Sequence, residues 1–104
     1  MKLIYVRDEN KRPIGAVAYE ADGYTVTYGV AICSPKDKWN RQRARTIAER
    51  RFQHVGLRRN SRPWTYGQTT FLGVKDLLLW IAEKGEAPRS FAHACATTAQ
   101  ALRP

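Results

Sequence analysis

The sequence lacks an apolar run long enough to cross a bilayer. Its longest apolar stretch, residues 77–82, falls far short of the roughly 18 consecutive apolar residues that a spanning helix needs. The first residues also lack the apolar core of a secretory signal, because charged residues follow the short segment 3–6 at once. We therefore expect a cytoplasmic protein without a membrane partner.

Residues typical of catalytic or metal sites are scarce. The chain has two cysteines, Cys33 and Cys95, and two histidines, His54 and His93, and their spacings fit no zinc finger. Cys33 follows a predicted strand, where a nearby helix start can activate a thiol. However, position 39 is tryptophan rather than the arginine of a cysteine-phosphatase loop. The nine acidic residues are scattered, and no glycine-rich phosphate loop is present. We expect neither an enzyme nor a bound metal or cofactor.

Nearly all of the excess positive charge lies in one segment of the chain. The net charge of the whole chain is +9, with 18 basic and nine acidic residues. Residues 1–35 are neutral overall and residues 63–104 carry +1, so the intervening residues 36–62 carry +8. A charge excess this concentrated is typical of a surface that binds polyanions.

Three strands are predicted in the first third of the chain. They cover residues 2–7, 14–20 and 24–32, separated by the polar run DENKRP and by an Asp-Gly turn signal. In the third strand, bulky residues at even positions alternate with small residues at odd positions. This alternation favours a sheet that helices cover on one side.

Three helices are predicted to follow. The sequence Ser34-Pro35-Lys36-Asp37 resembles a capping box with proline at the first helical position, which predicts a helix over residues 35–55 that Gly56 ends. A loop over residues 57–70 precedes helices over 72–84 and from Pro88 onward. The predicted core faces are Ala44, Ile47, Ala48, Phe52 and Val55; Val74, Leu77, Leu78 and Ile81; and Phe91, Ala94, Cys95, Thr98, Ala99 and Leu102.

The predicted element order is β-β-β-α-α-α. It indicates one α+β domain over residues 1–104, in which a three-stranded antiparallel β-meander packs against two to three helices.

The first predicted helix and the loop after it combine arginines with aromatic residues. Arginine suits phosphate because its guanidinium is planar and permanently charged, and aromatic rings can stack on unpaired bases. This pattern predicts nucleic-acid binding, with Trp64 and Tyr66 stacking. The residues predicted to bind nucleic acid or another partner are Lys38, Arg41, Arg43, Arg45, Arg50, Arg51, Arg58, Arg59, Arg62, Trp64 and Tyr66.

Other interpretations of these residues stay open. The same arginines and aromatics are typical of a surface that binds an acidic protein, and a basic helix face can also be merely solvated. Trp64 and Tyr66 can equally be core residues that cover a sheet edge. The sequence does not decide whether Trp39 lies at the surface or in the core.

From Cys33 onward the chain reads C-S-P-K-D-x-W-x-R-x-x-x-R-x-I-A-x-x-R. This resembles a motif of small, mostly uncharacterised bacteriophage and prophage proteins, in which a strand ending in C-[S/N]-P-x-D leads into a basic helix with R-x-I-A-x-x-R. Ala44 stands where that pattern often has glycine. The matching residues are Cys33, Ser34, Pro35, Lys36, Asp37, Arg41, Arg45, Ile47, Ala48 and Arg51.

The resemblance implies a phage accessory protein that acts in a bacterial cytoplasm. Such a protein binds nucleic acid, or it disables a host nucleic-acid-handling complex such as a CRISPR effector or a recombination nuclease. The second alternative is a protein-binding inhibitor, similar to an anti-CRISPR protein or a nuclease inhibitor.

Overall fold

The computed structural model describes residues 1–33, 36–57, 62–71, 73–84 and 86–102. These residues form an α+β fold with one four-stranded antiparallel sheet, in the order β1-β2-β3-β4, and three helices. The elements along the chain are β1 (Lys2–Arg7), β2 (Pro13–Asp22), β3 (Thr25–Ile32), α1 (Arg41–Gln53), β4 (Tyr66–Thr70), α2 (Val74–Lys84) and α3 (Arg89–Ala101). The predicted α+β class is confirmed, and the predicted order without β4 is wrong.

The sheet has one bulky and one small face, as the alternation in β3 predicts. Val26, Tyr28 and Val30 of β3 point into the larger core, which α2 and α3 complete. Ala31 points the other way, toward α1, together with Ala16 and Ala18 of β2. The expectation that helices cover one side is therefore wrong, because the small side chains leave room for α1 to lie close to the sheet.

The two C-terminal helices bury the faces that their spacing predicts. Leu77, Leu78 and Ile81 of α2 are fully buried, as are Phe91 and Cys95 of α3. Thr98 is also buried, and its hydroxyl both accepts from the backbone N–H of Arg7 and donates to that residue's carbonyl. Pro88 is the N-cap residue of α3 rather than its first helical residue.

The fourth strand, β4, lies within the predicted loop over residues 57–70, so the prediction of a loop is wrong there. Residues Tyr66–Thr70 pair antiparallel with β3, from Gly29 opposite Tyr66 to Thr25 opposite Thr70. The segment YGQTT lacks alternating apolar residues because it is an edge strand, and its exposed Gln68 and Thr70 meet no core. Hydrogen bonding to β3 therefore makes this segment a strand, although its side-chain pattern does not predict one.

Candidate nucleic-acid interface

Helix α1 begins later than the sequence predicts. Asn40 is its N-cap residue, and the Asn40 side-chain oxygen accepts a hydrogen bond of 3.0 Å from the backbone N–H of Arg43. Residues 36–40 are not helical, so the prediction that this helix starts at residue 35 is wrong. Ser34 and Pro35 of the predicted capping box lie outside the described residues.

The inner face of α1 is built from alanine. Ala44 and Ala48 are buried against the small face of the sheet, and Ile47 and Phe52 are partly buried beside them. Gly29 of β3 lies directly beneath, where an added Cβ would overlap the backbone of Ala48 and Phe52. This close approach leaves the polar side of the helix pointing away from the sheet.

Two of the predicted binding arginines are bound to the sheet. Arg41 donates from Nε to the hydroxyl of Tyr5 over 2.9 Å, and its guanidinium carbon lies 5.1 Å from the centre of that ring. Arg51 donates from Nη1 to the carbonyl oxygen of Val30 over 2.6 Å. Burial, followed by the charge of Arg62, lowers the pKa of Arg51. The guanidinium of Arg51 therefore lies against the sheet instead of extending into solvent.

Arg45 and Glu49 form an ion pair on the helix surface. Their Nε and Oε1 atoms are 2.7 Å apart, four residues along α1. The hydrogen bond from Arg45 to Glu49 raises the pKa of the guanidinium, although the pair is exposed and therefore contributes little to stability. Glu49 is the sole acidic residue of α1, whose sequence contains five arginines.

Arg43 and Arg50 are the outward-facing cations of the helix. Both are exposed and form no hydrogen bond or ion pair through their side chains with the described part of the chain. They line a shallow groove of about 530 Å³ along α1, together with Gln42, Thr46 and Ile47. Lys38, just before the helix, is exposed as well.

Trp64 is a core residue rather than a stacking platform. Its side chain is only 6% exposed, and its ring centre lies 6.0 Å from that of Phe91 in α3. The prediction that Trp64 stacks on bases is therefore wrong, and the alternative that it is a core residue is confirmed. Tyr66 is half-buried at the start of β4, edge-on to His54 at 6.0 Å.

Arg62 is held at the surface by a tight turn. The Arg62 carbonyl accepts from both the backbone N–H and the hydroxyl of Thr65, at 2.9 and 2.7 Å. Thr65 in turn accepts from the backbone N–H of Val30 over 2.7 Å. This places Arg62 close enough to Arg51 for the two charges to interact. Arg58 and Arg59, which belong to the predicted set, lie outside the described residues.

A large cleft opens at the end of the sheet where β3 stops, and we call it the strand-end cleft. Its volume is about 1370 Å³, and its walls include Cys33, Trp39, Arg51, Arg62 and Trp64. No sequence pattern indicates this cleft, because its walls come from segments far apart along the chain. Trp39 is half-buried there, edge-on to Tyr5 with the ring centres 6.0 Å apart.

Cys33 does not occupy a helix start. It follows β3 directly, and the described residues before Arg41, residues 36–40, are not helical. Its thiol donates to the carbonyl oxygen of Asp37 over 3.6 Å. Cys95 is fully buried in α3, and burial raises its thiol pKa to about 12. Neither environment is of the kind that activates a nucleophilic thiolate.

Neither a metal-binding cluster nor a membrane-spanning helix occurs among the residues that the structure describes. They contain no group of three or more His, Cys, Asp or Glu side chains placed to hold a metal ion. None of their helices combines the length and the apolar character that crossing a membrane requires.

Comparisons with protein-family models, with curated proteins and with solved structures find no match to this chain. We therefore infer the function from the residues and contacts described above, and the resemblance to phage and prophage proteins stays a prediction. The fold and the site define a small basic α+β protein whose arginine-rich helix lies on the surface of its sheet.

Proposed function

We propose that this protein binds nucleic acid, and that the outer face of α1 contacts the phosphate backbone. The observation that carries the proposal is the arrangement of Arg43 and Arg50. Both project from one side of an exposed helix, and no carboxylate of the described residues forms an ion pair with either. Surface arginines without acidic partners are available to bind phosphate oxygens in bidentate geometry.

The spacing of these two arginines supports a backbone contact. They are seven residues apart, which is two helical turns, so their Cα atoms lie about 10.5 Å apart along one side of α1. A row of cations along a helix can contact phosphates of one strand without the helix entering a groove. Lys38 adds positive charge just before the helix, and Arg62 adds it near Arg51, in the last turn of α1.

Because Trp64 is buried, we expect the protein to bind the phosphate backbone and not to stack on bases through this ring. Without that ring at the surface, the outer face of α1 offers charge and short polar side chains but no aromatic platform. Contacts of this kind position a protein on nucleic acid and carry no sequence information. We therefore expect low sequence specificity and an affinity that falls steeply with salt, because each neutralised phosphate releases counterions.

The test is a salt series of fluorescence anisotropy with a labelled oligonucleotide. We expect binding at low salt with a log–log slope of about −0.7 to −0.9 for each phosphate contact. The double variant Arg43→Ala/Arg50→Ala should reduce the magnitude of that slope by about 1.4 to 1.8. The matched control is Lys2→Ala/Lys75→Ala, which removes the same charge from β1 and α2 and should leave the slope nearly unchanged.

Two results would overturn the proposal. The first is absence of binding at the lowest salt, and the second is an equal loss of affinity in the α1 variant and the control. A pull-down from nuclease-treated bacterial lysate tests the other prediction, an inhibitor that binds a host complex. Stoichiometric recovery of one host protein, lost in Arg43→Ala/Arg50→Ala, would assign the same surface to a protein partner instead.

A further inference from the structure

The strand-end cleft brings two arginines and an indole together beside α1. Arg51 and Arg62 stand on its wall close enough for the charge of Arg62 to lower the pKa of Arg51. Arg51 forms no ion pair with a carboxylate of the described residues. Two neighbouring guanidinium groups form a place where a phosphate is stabilised.

The geometry of Arg51 is fixed in advance of any ligand. Its bond to the Val30 carbonyl uses one of five guanidinium N–H donors and holds the head against the end of β3. Arg62 is fixed at its backbone by the turn that ends at Thr65. Binding an anion between two pre-positioned donors costs less conformational entropy than binding it with two free side chains.

Three acidic residues line the cleft, Asp8, Asp37 and Glu86, and none of them forms an ion pair with Arg51. Asp8 and Glu86 have partners of their own. The Asp8 carboxylate accepts from the backbone N–H groups of Asn10 and Arg12, each at 2.9 Å. Glu86 lies 4.0 Å from the ammonium of Lys84. These carboxylates line the cleft but form no ion pair with Arg51.

The cleft also offers an aromatic wall and a suitable size. Trp39 lines it, and the edge-on contact with Tyr5 holds the indole in one orientation. The volume of about 1370 Å³ exceeds the roughly 300–1000 Å³ of ordinary small-molecule pockets, which is consistent with a chain that passes through. Bases in a duplex are paired and stacked, so only an unpaired base can enter such a recess.

We propose that the strand-end cleft binds an unstacked nucleotide of a single-stranded nucleic acid, with its phosphate between Arg51 and Arg62 and its base against Trp39. This inference rests on the proposed function and makes it more specific. The outer face of α1 binds the backbone of single or double strands, and the cleft adds a contact that only a single strand can make.

Cys33 provides a direct test in the unmodified protein. Its half-buried thiol lines the cleft, whereas Cys95 is fully buried, so N-ethylmaleimide should react at Cys33 alone. The probes are oligo(dT) of about 20 nucleotides and a duplex of equal length, each at a saturating concentration in low salt. We expect oligo(dT) to slow alkylation of Cys33 at least about fivefold and the duplex to leave the rate unchanged.

Substitutions at Trp39 give a second readout. Trp39→Ala should weaken oligo(dT) binding by about tenfold and leave duplex binding unchanged, because one stacking contact is lost. Trp39→Phe keeps an aromatic ring and should retain most of the affinity. Tyr24→Ala is the control, since this ring is 74% exposed at the β2–β3 turn and lies outside the cleft.

The outcomes of these experiments distinguish nucleotide binding in the cleft from backbone binding by α1. If oligo(dT) binds but neither protects Cys33 nor responds to Trp39→Ala, the cleft proposal is overturned while backbone binding by α1 stands. Equal protection of Cys33 by the duplex would also overturn it. If neither oligonucleotide binds at low salt, both proposals are overturned. The alkylation experiment keeps its meaning even if Trp39→Ala prevents folding.

Discussion

The guanidinium of Arg51 donates to the Val30 carbonyl the hydrogen bond that a neighbouring strand would otherwise donate. The pairing of β3 with β4 ends at Gly29 opposite Tyr66, so the next carbonyl toward that side, that of Val30, has no β4 partner. Nη1 of Arg51 donates to this oxygen over 2.6 Å, while Thr65 accepts from the Val30 N–H. A predicted binding residue therefore completes the hydrogen bonding of the sheet.

Replacing Arg51 should reduce stability more than replacing its neighbour. Arg51→Ala leaves the Val30 carbonyl without its donor, and we expect the free energy of unfolding to fall by about 1.5–3 kcal/mol. Arg50→Ala removes an exposed side chain and should change it by less than about 0.5 kcal/mol. Urea unfolding followed by circular dichroism measures both, and equal effects would contradict the structural role of Arg51.

Trp64 should matter for folding rather than directly for stacking on nucleic acid. Trp64→Ala removes a buried ring that contacts Phe91, which we expect to cost about 3–5 kcal/mol of unfolding free energy. Trp64→Phe should retain much of the stability and nearly all of the nucleic-acid affinity. A folded Trp64→Phe protein that loses oligonucleotide binding would show that the indole contacts the ligand after all.

Gly29 should tolerate no side chain. Gly29→Ala places a Cβ against the backbone of Ala48 and Phe52, so α1 must shift, and we expect a loss of at least about 2–3 kcal/mol. Gly73→Ala is the matched control, because a Cβ there meets nothing within 4 Å. Thermal unfolding of both variants tests this, and a Gly29→Ala protein as stable as the control would refute the close contact.

Tyr28 should make the protein sensitive to strong alkali. Burial raises the pKa of its hydroxyl to about 12, from the ordinary value of 10.0, and the hydroxyl donates to the Pro63 carbonyl over 2.6 Å. The folded state therefore holds this proton more tightly than the unfolded state does. Its contribution to stability is complete below pH 10 and is lost as the pH rises toward about 12.

The comparison of wild type with Tyr28→Phe isolates this effect. Tyr28→Phe should be less stable than wild type at neutral pH, by about 0.5–1.5 kcal/mol for the lost hydrogen bond, and should lose less stability on alkaline titration. Cys95 titrates in both proteins and therefore contributes equally. Urea midpoints across this pH range provide the measurement, and parallel losses in the two proteins would contradict the prediction.

Periodic patterns in the sequence predict much of this fold. The alternation in β3 predicts which side faces the larger core, and the three-and-four spacing in α3 predicts which side of that helix is buried. The start of α1 was missed because two capping sequences compete, and Asn40 rather than Ser34 precedes the first helical residue. Local sequence does not decide between caps when tertiary packing fixes the segment between them.

The candidate site was harder to predict for a different reason. Composition finds the arginines, but it does not distinguish Arg43, which points to solvent, from Arg51, which bonds to the sheet. The residues next to Trp64 in the sequence do not indicate whether its ring is exposed or buried. The strand-end cleft joins Cys33, Arg62 and Phe91, which only the tertiary fold brings to one place.

The alanine contact between α1 and the sheet divides the protein into two zones of mutational tolerance. On the inner side, Ala16, Ala18, Ala31, Ala44 and Ala48 are buried together, and the helix backbone approaches Gly29 closely, so we expect these five sites to accept only small residues. On the outer side, the arginines contact little of the protein, and exchange among polar residues there leaves the fold intact. A binding surface carried on such a helix can change its specificity while its attachment to the sheet stays constant.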